Sequence, residues 1–163
     1  MDATAMPSGP APGPSRGRGR RGGCLGAIVI VVAVVVGLPV TITLVNDAAA
    51  RRIENELVAL PLPACTERVG SASRAAKLTG NGNGMQYLGA IFVRSELSIA
   101  DLQAYYDDAS DSTGLSVTVS DAGALDDMHG GPIGAGLPSG TRIVWAWGDG
   151  PGELFEEFDI RGH

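Results

Sequence analysis

Asp126, Asp127 and His129 fall close together in a glycine-rich stretch, with Asp107, Asp108 and Asp111 a short way upstream. Carboxylates and a neutral imidazole are ligand types for divalent metals, and a metal held there could activate water for hydrolysis. The order Asp-Asp-Met-His nevertheless matches no metal spacing that carries a mechanism, and acidic residues among glycines are ordinarily solvated turn formers. Asp126, Asp127 and His129 therefore stand as candidate metal ligands with no motif behind them.

Cys65 is the second group with chemistry of its own. A nucleophilic thiol needs a base, and the chain holds only two histidines, His129 and His163. Cys65 reads more simply as a small, partly buried thiol. Gly80-Asn-Gly-Asn-Gly84 shares only its glycines with a phosphate cradle: no Gly-Lys-Ser/Thr ending follows, and a strand comes next where those motifs need a helix. Tyr105, Tyr106, Trp145 and Trp147 could line a recognition surface, although in a chain with 5% aromatic residues core packing claims most of them. No catalytic set and no cofactor motif emerges.

The elements that must hold these residues are organised around residues 24–45, an uncharged run from Cys24 to Val45. At about 1.5 Å per residue such a helix is about 33 Å long, enough to cross a bilayer core of about 30 Å. A soluble core helix needs only one apolar stripe, so the lipid bilayer is the expected partner of this segment. With no ionisable residue inside it, the segment offers no proton relay or ion path. Ala48-Ala49-Ala50 satisfies the small-x-small pattern of a signal-peptidase site, but the apolar run is longer than an export signal's core and Asn46 and Asp47 separate the two. Arg21, Gly22 and Gly23 stand before Cys24 where a bacterial lipid-attachment site has apolar residues. A membrane anchor is the better reading.

Arg16, Arg18, Arg20 and Arg21 precede the run, against Arg51 and Arg52 after it. That asymmetry predicts a single-pass protein of the plasma membrane with its amino terminus cytoplasmic and its bulk extracytoplasmic. Residues 1–23 are rich in Pro, Gly and Ser and too poor in apolar surface to offset ordering entropy; a disordered tail is expected. Residues 46–163 hold 17 acidic and 8 basic residues, which argues against nucleic acid or anionic lipid as the partner of the outer part. Arginine outnumbers lysine eleven to one, and glycine occurs 24 times, a bias that points to a GC-rich bacterial genome.

Beyond the span, Asn46 or Asp47 is placed to cap a juxtamembrane helix or stalk over 46–63, with Ile53, Leu57 and Leu60 on one face and Pro61 and Pro63 ending it. Residues 64–163 read as one α+β domain. Strands are expected at 66–78 and 85–94, joined by a hairpin at the Asn-Gly repeat. Ser98 and Asp101 form a capping box, with Leu97 and Leu102 as its hydrophobic staple, opening a helix that ends near Asp108. A strand follows at 115–119, then a loop at 120–140, then a strand at 141–147 with Ile143, Trp145 and Trp147 on one side. Leu154, Phe158 and Ile160 alternate as in a returning strand, although Glu156 is out of pattern and allows a short helix after Pro151. The sum is a two-layer domain: a mainly antiparallel sheet of four or five strands with two helices, behind one transmembrane helix.

Leu60-Pro-Leu-Pro63, Gly80-Asn-Gly-Asn-Gly-Met-Gln-Tyr87, and Arg94-Ser-Glu-Leu97 leading to Tyr105-Tyr106 give residues 54–120 a pattern that resembles single-pass, membrane-anchored proteins of GC-rich bacteria with a small extracytoplasmic α+β domain. The resemblance implies the anchor and the fold and brings no activity with it. The expected function is accordingly a non-catalytic domain on an anchor that binds an envelope protein or ligand. The alternative is a membrane-tethered hydrolase or metal-dependent enzyme centred on His129 and its aspartates.

Overall fold

The computed structural model describes residues 21–80, 84–125, 128, 129 and 131–162. A single α-helix, α1 (Arg21–Ala59), runs through the apolar segment and on into the domain, with Pro39 inside it. The separate helix expected to start at Asn46 or Asp47 does not form. Leu44, Val45 and the three alanines after Asp47 all sustain a helix, and the Asn46 side chain is engaged elsewhere and caps nothing. The helix is long and apolar enough to cross a membrane and lies near the amino terminus.

Its two halves have different surroundings. Residues 26–41 are exposed all round. From Ile42 onward one face goes under cover: Ile42, Asn46, Ala50, Ile53, Leu57 and the following Leu60 are all buried. Spacings of three and four residues put these side chains on one stripe, the signature of a helix laid on a sheet.

The sheet has four antiparallel strands, β1 (Thr66–Ala76), β2 (Gln86–Ser95), β3 (Val117–Asp121) and β4 (Thr141–Gly148), in the order β1-β2-β4-β3. β1 and β2 form the expected hairpin, Thr66 opposite Ser95 and Ala76 opposite Gln86. β2 is central and buried on both faces from Tyr87 to Val93, as its unbroken apolar run requires. Tyr87, Ile91 and Val93 of β2 join Val144 and Ala146 of β4 under α1 and α2 (Ile99–Ser110). Ser98 accepts a hydrogen bond from the Asp101 amide at 3.1 Å and donates its own hydroxyl to the Asp101 carboxylate at 2.6 Å. The N-terminal cap is thus where the sequence puts it, except that the aspartate holds the serine hydroxyl and not the cap amide.

On the opposite face, Leu88, Ala90, Phe92 and Ile143 meet Leu125 and Ile133. Those last two come from the stretch between β3 and β4, which opens with a 3-10 turn (Ala122–Leu125). The long glycine-rich loop therefore covers the second face of the sheet and supplies its core, with Met128 and Leu137 packed alongside.

Beyond β4 there is no fifth strand. Residues 154–160 form a short helix, α3 (Glu153–Glu157), and lead into a 3-10 turn (Ile160–Gly162). Leu154 and Phe158 share a side at i, i+4 spacing, which is why the alternation read from sequence failed at Glu156. The turn returns to β1, where Lys77 donates its amide to the Arg161 carbonyl at 2.8 Å.

Candidate functional site

Among the described residues, those selected from the sequence are not brought into one cluster. Asp126 and Asp127 lie outside the described residues. His129 is exposed, and its backbone amide donates to the Leu78 carbonyl at 3.0 Å, which pins the covering loop to the end of β1. Asp107 accepts from Gln103 within α2. Among the described residues no three His, Cys, Asp or Glu are grouped so as to hold a metal ion. Cys65 is free and exposed, contrary to the partly buried thiol expected. It sits just before β1 with φ 56°, a left-handed conformation that turns the chain after Pro63 and leaves the side chain outside. Of the aromatics, Tyr106 is wholly buried beneath the sheet with Tyr105 edge-on to it at 5.4 Å, both serving the core.

Trp145 and Trp147 behave differently. Both project from β4 toward the covered face, meet edge-to-face with centroids 5.7 Å apart, and stay only partly buried. They are part of the wall of a cleft of about 620 Å³, with Met85, Tyr87, Leu125, Met128, Asp149 and Glu156 around them. β2 and β4 supply the wall, the 3-10 turn one side, and the turn into α3 the other. Gln86 at its edge is committed to the fold: its Oε1 accepts the Leu78 and Thr79 amides at 2.8 and 2.7 Å. The polar side chains left to face a ligand include two carboxylates, and among the described residues no lysine or arginine lines the cleft.

Behind this cleft lies a buried polar junction that ties α1 to the C-terminal segment. Asn46 is fully buried. Its Nδ2 donates to the Phe155 carbonyl and to Asp159 Oδ2, each at 2.8 Å, and its Oδ1 accepts from the Tyr87 hydroxyl at 2.9 Å. Arg161 closes the other side, donating to Asp159 Oδ2 at 2.7 Å, to Asp47 Oδ1 at 2.7 Å, and to the Thr43 carbonyl at 3.4 Å. Burial first, then Glu156 and Asp159, push the Tyr87 phenol up to about 12, so it remains a donor. The Arg161 side chain holds the Asp159 carboxyl at about 2, with Asn46 adding to the effect against the cost of burial. The same partners raise the Arg161 guanidinium above its ordinary value. Asn46 carries a sequence signal only as a cap; its partners Tyr87, Phe155 and Asp159 lie 41, 109 and 113 residues away in the chain and give none.

A carboxylate held below its usual value of 3.8 stabilises the fold above that pH, and the contribution disappears as pH falls through about 2. The junction should therefore hold α3 unchanged from neutral pH down to about 4 and loosen between there and about 2. Amide exchange within Glu153–Glu157 across that range checks this, with Asp159→Asn losing the dependence. Release beginning near neutral pH would contradict it.

Comparison of the chain with protein-family models, with curated proteins and with solved structures finds no match.

Proposed function

We propose that the chain is a single-pass membrane protein whose amino terminus is cytoplasmic and whose extracytoplasmic domain binds, without catalysis, a cationic ligand with an apolar body. The bilayer is the partner of the exposed half of α1; its arginine-rich leading flank supports the orientation. The observation that carries the binding reading is the cleft itself. Indole rings and thioether side chains offer apolar and cation–π contact, and Asp149 and Glu156 supply negative charge with no basic residue to oppose it. An anionic ligand would meet like charge there.

A titration followed by tryptophan fluorescence tests the reading, because both tryptophans of the chain line the cleft. Phenethylamine should change the emission saturably, and phenylacetate, of similar shape and opposite charge, should not. Trp147→Ala should weaken phenethylamine binding by about tenfold, the order expected for one lost cation–π and packing contact. Equal responses to the two probes, or no saturation by either, would contradict the proposal.

A further inference from the structure

The large apolar side chains left exposed fall in two places among the described residues. One set lies on α1 between Ile28 and Leu44; the other is Leu154, Phe158 and Ile160, exposed by 60, 59 and 83%. The segments that carry them meet. Asn46 donates to the Phe155 carbonyl, and Arg161 donates to the Thr43 carbonyl, so α3 and the turn after it lie against α1 at residues 43–47.

That level is where the span should leave the lipid. Counting from Cys24 at about 1.5 Å per residue, a core of about 30 Å ends at about residue 43. Ile42 is the first described α1 side chain to go under cover, so the outer edge of that core falls where the helix meets the C-terminal segment.

From this we infer that Leu154, Phe158 and Ile160 are a second membrane contact, seated in the boundary between headgroups and acyl chains of the membrane that α1 crosses. The inference rests on the spanning part of the function proposed above. Continuity with the exposed apolar surface of α1 selects lipid as the occupant over a second protein. Three exposed aliphatic and aromatic side chains within one short segment are the kind of surface an interfacial segment buries. Glu153 and Glu157 are exposed in the same short helix, so the contact is shallow and does not draw on anionic headgroups. Arg161 enters this zone already neutralised by Asp159 and Asp47, the pairing that a charge near lipid requires. The buried junction is then the fastening that holds the contact at the right depth.

Spin labels on the full chain in phosphatidylcholine vesicles test this. In a Cys24→Ser, Cys65→Ser background, single labels are placed through Leu154→Cys, Phe158→Cys, Ile160→Cys, Val35→Cys and Glu96→Cys. Collision with oxygen, which concentrates in lipid, is compared with collision with a water-soluble nickel chelate. The oxygen-to-nickel ratio at Phe158 and Ile160 should exceed several-fold that at Glu96, which sits at the far end of the domain after β2, and approach that at Val35. Leu154 gives an independent position should either of the others perturb folding. A lipid-like Val35 with water-like labels at all three C-terminal positions overturns the inference and leaves the span standing. Water-like behaviour at Val35 as well overturns both. Label-to-label broadening at Ile160 that disappears on dilution with unlabelled chain, with no rise in oxygen collision, shows a second copy on the patch and also overturns it.

Discussion

Gly89→Ala should be among the most destabilising single-methyl additions in this domain, lowering stability by about 3 kcal/mol or more, at the upper end of overpacking costs. β2 passes so close beneath α1 that a Cβ at Gly89 would stand 2.5 Å from the Glu54 nitrogen and 2.7 Å from the Ile53 carbonyl carbon. Both are backbone atoms of a helix, which cannot rotate away as a side chain can. Relief requires α1 to lift off the sheet, and that separates Ile53 and Leu57 from Ile91 and Val144 and unloads the helix-side core. Gly148 supplies the comparison. A Cβ there would approach the Ile53 side chain at 2.5 Å, so Gly148→Ala should cost less, about 1–2 kcal/mol, because a rotamer change can absorb part of the clash. Denaturant unfolding of the full chain in detergent, followed by tryptophan emission, measures both. Equal stability of Gly89→Ala and the parent would show that α1 does not press on β2 as described.

Asn46→Leu should cost about 2–4 kcal/mol, concentrated in the C-terminal segment. Leucine keeps the branching at Cγ but offers nothing to the Tyr87 hydroxyl, to the Phe155 carbonyl, or to the Asp159 carboxylate, whose side chain has no exposed surface. Arg161 still holds Asp159, which limits the damage, yet a buried phenol and a carbonyl lose their partners. The expected signature is local: amides of α3 exchange much faster while those of β2 and β4 change little. Asn55→Leu, an exposed position of the same helix, should stay within about 0.5 kcal/mol. Protection of α3 that survives Asn46→Leu would mean that apolar packing alone docks this segment.

Much of the architecture was legible where local chemistry and tertiary structure agree. Ser98 caps α2 because a hydroxyl three residues before an amide is a local device. β2 is central because an apolar run covered on both faces has few other uses. Ile143, Trp145 and Trp147 share a face by the period of a strand alone. The apolar run and the first helix of the domain are both legible as helical, but the sequence divides them at Asn46, since an asparagine after an apolar run resembles a cap unless its distant partners are known. The segment at 154–160 reads as a strand from three alternating apolar residues, too few to distinguish a period of two from one of 3.6, while Glu156, out of that pattern, leaves open the short helix after Pro151 that forms. The covering role of the loop was hidden because Leu125, Ile133 and Leu137 carry no periodicity. Of the candidate site, the tryptophans were on the page as residues but the cleft was not. It is made by Met85, Met128 and Glu156 coming from three separated stretches, and no spacing announces such a meeting.

In the topology proposed above, one helix crosses the bilayer and then becomes the spine of the domain, with one cysteine toward each side. Cys24 opens the apolar run at its arginine-rich end and Cys65 is free and exposed on the domain. Intact cells carrying the full chain are treated with a membrane-impermeant reductant and then a membrane-impermeant maleimide, before and after the membrane is opened. The account predicts labelling at Cys65 from outside, abolished by Cys65→Ser, with Cys24 reacting only once the membrane is opened. Equal labelling of both cysteines in intact cells, or labelling of Cys24 alone, would contradict it.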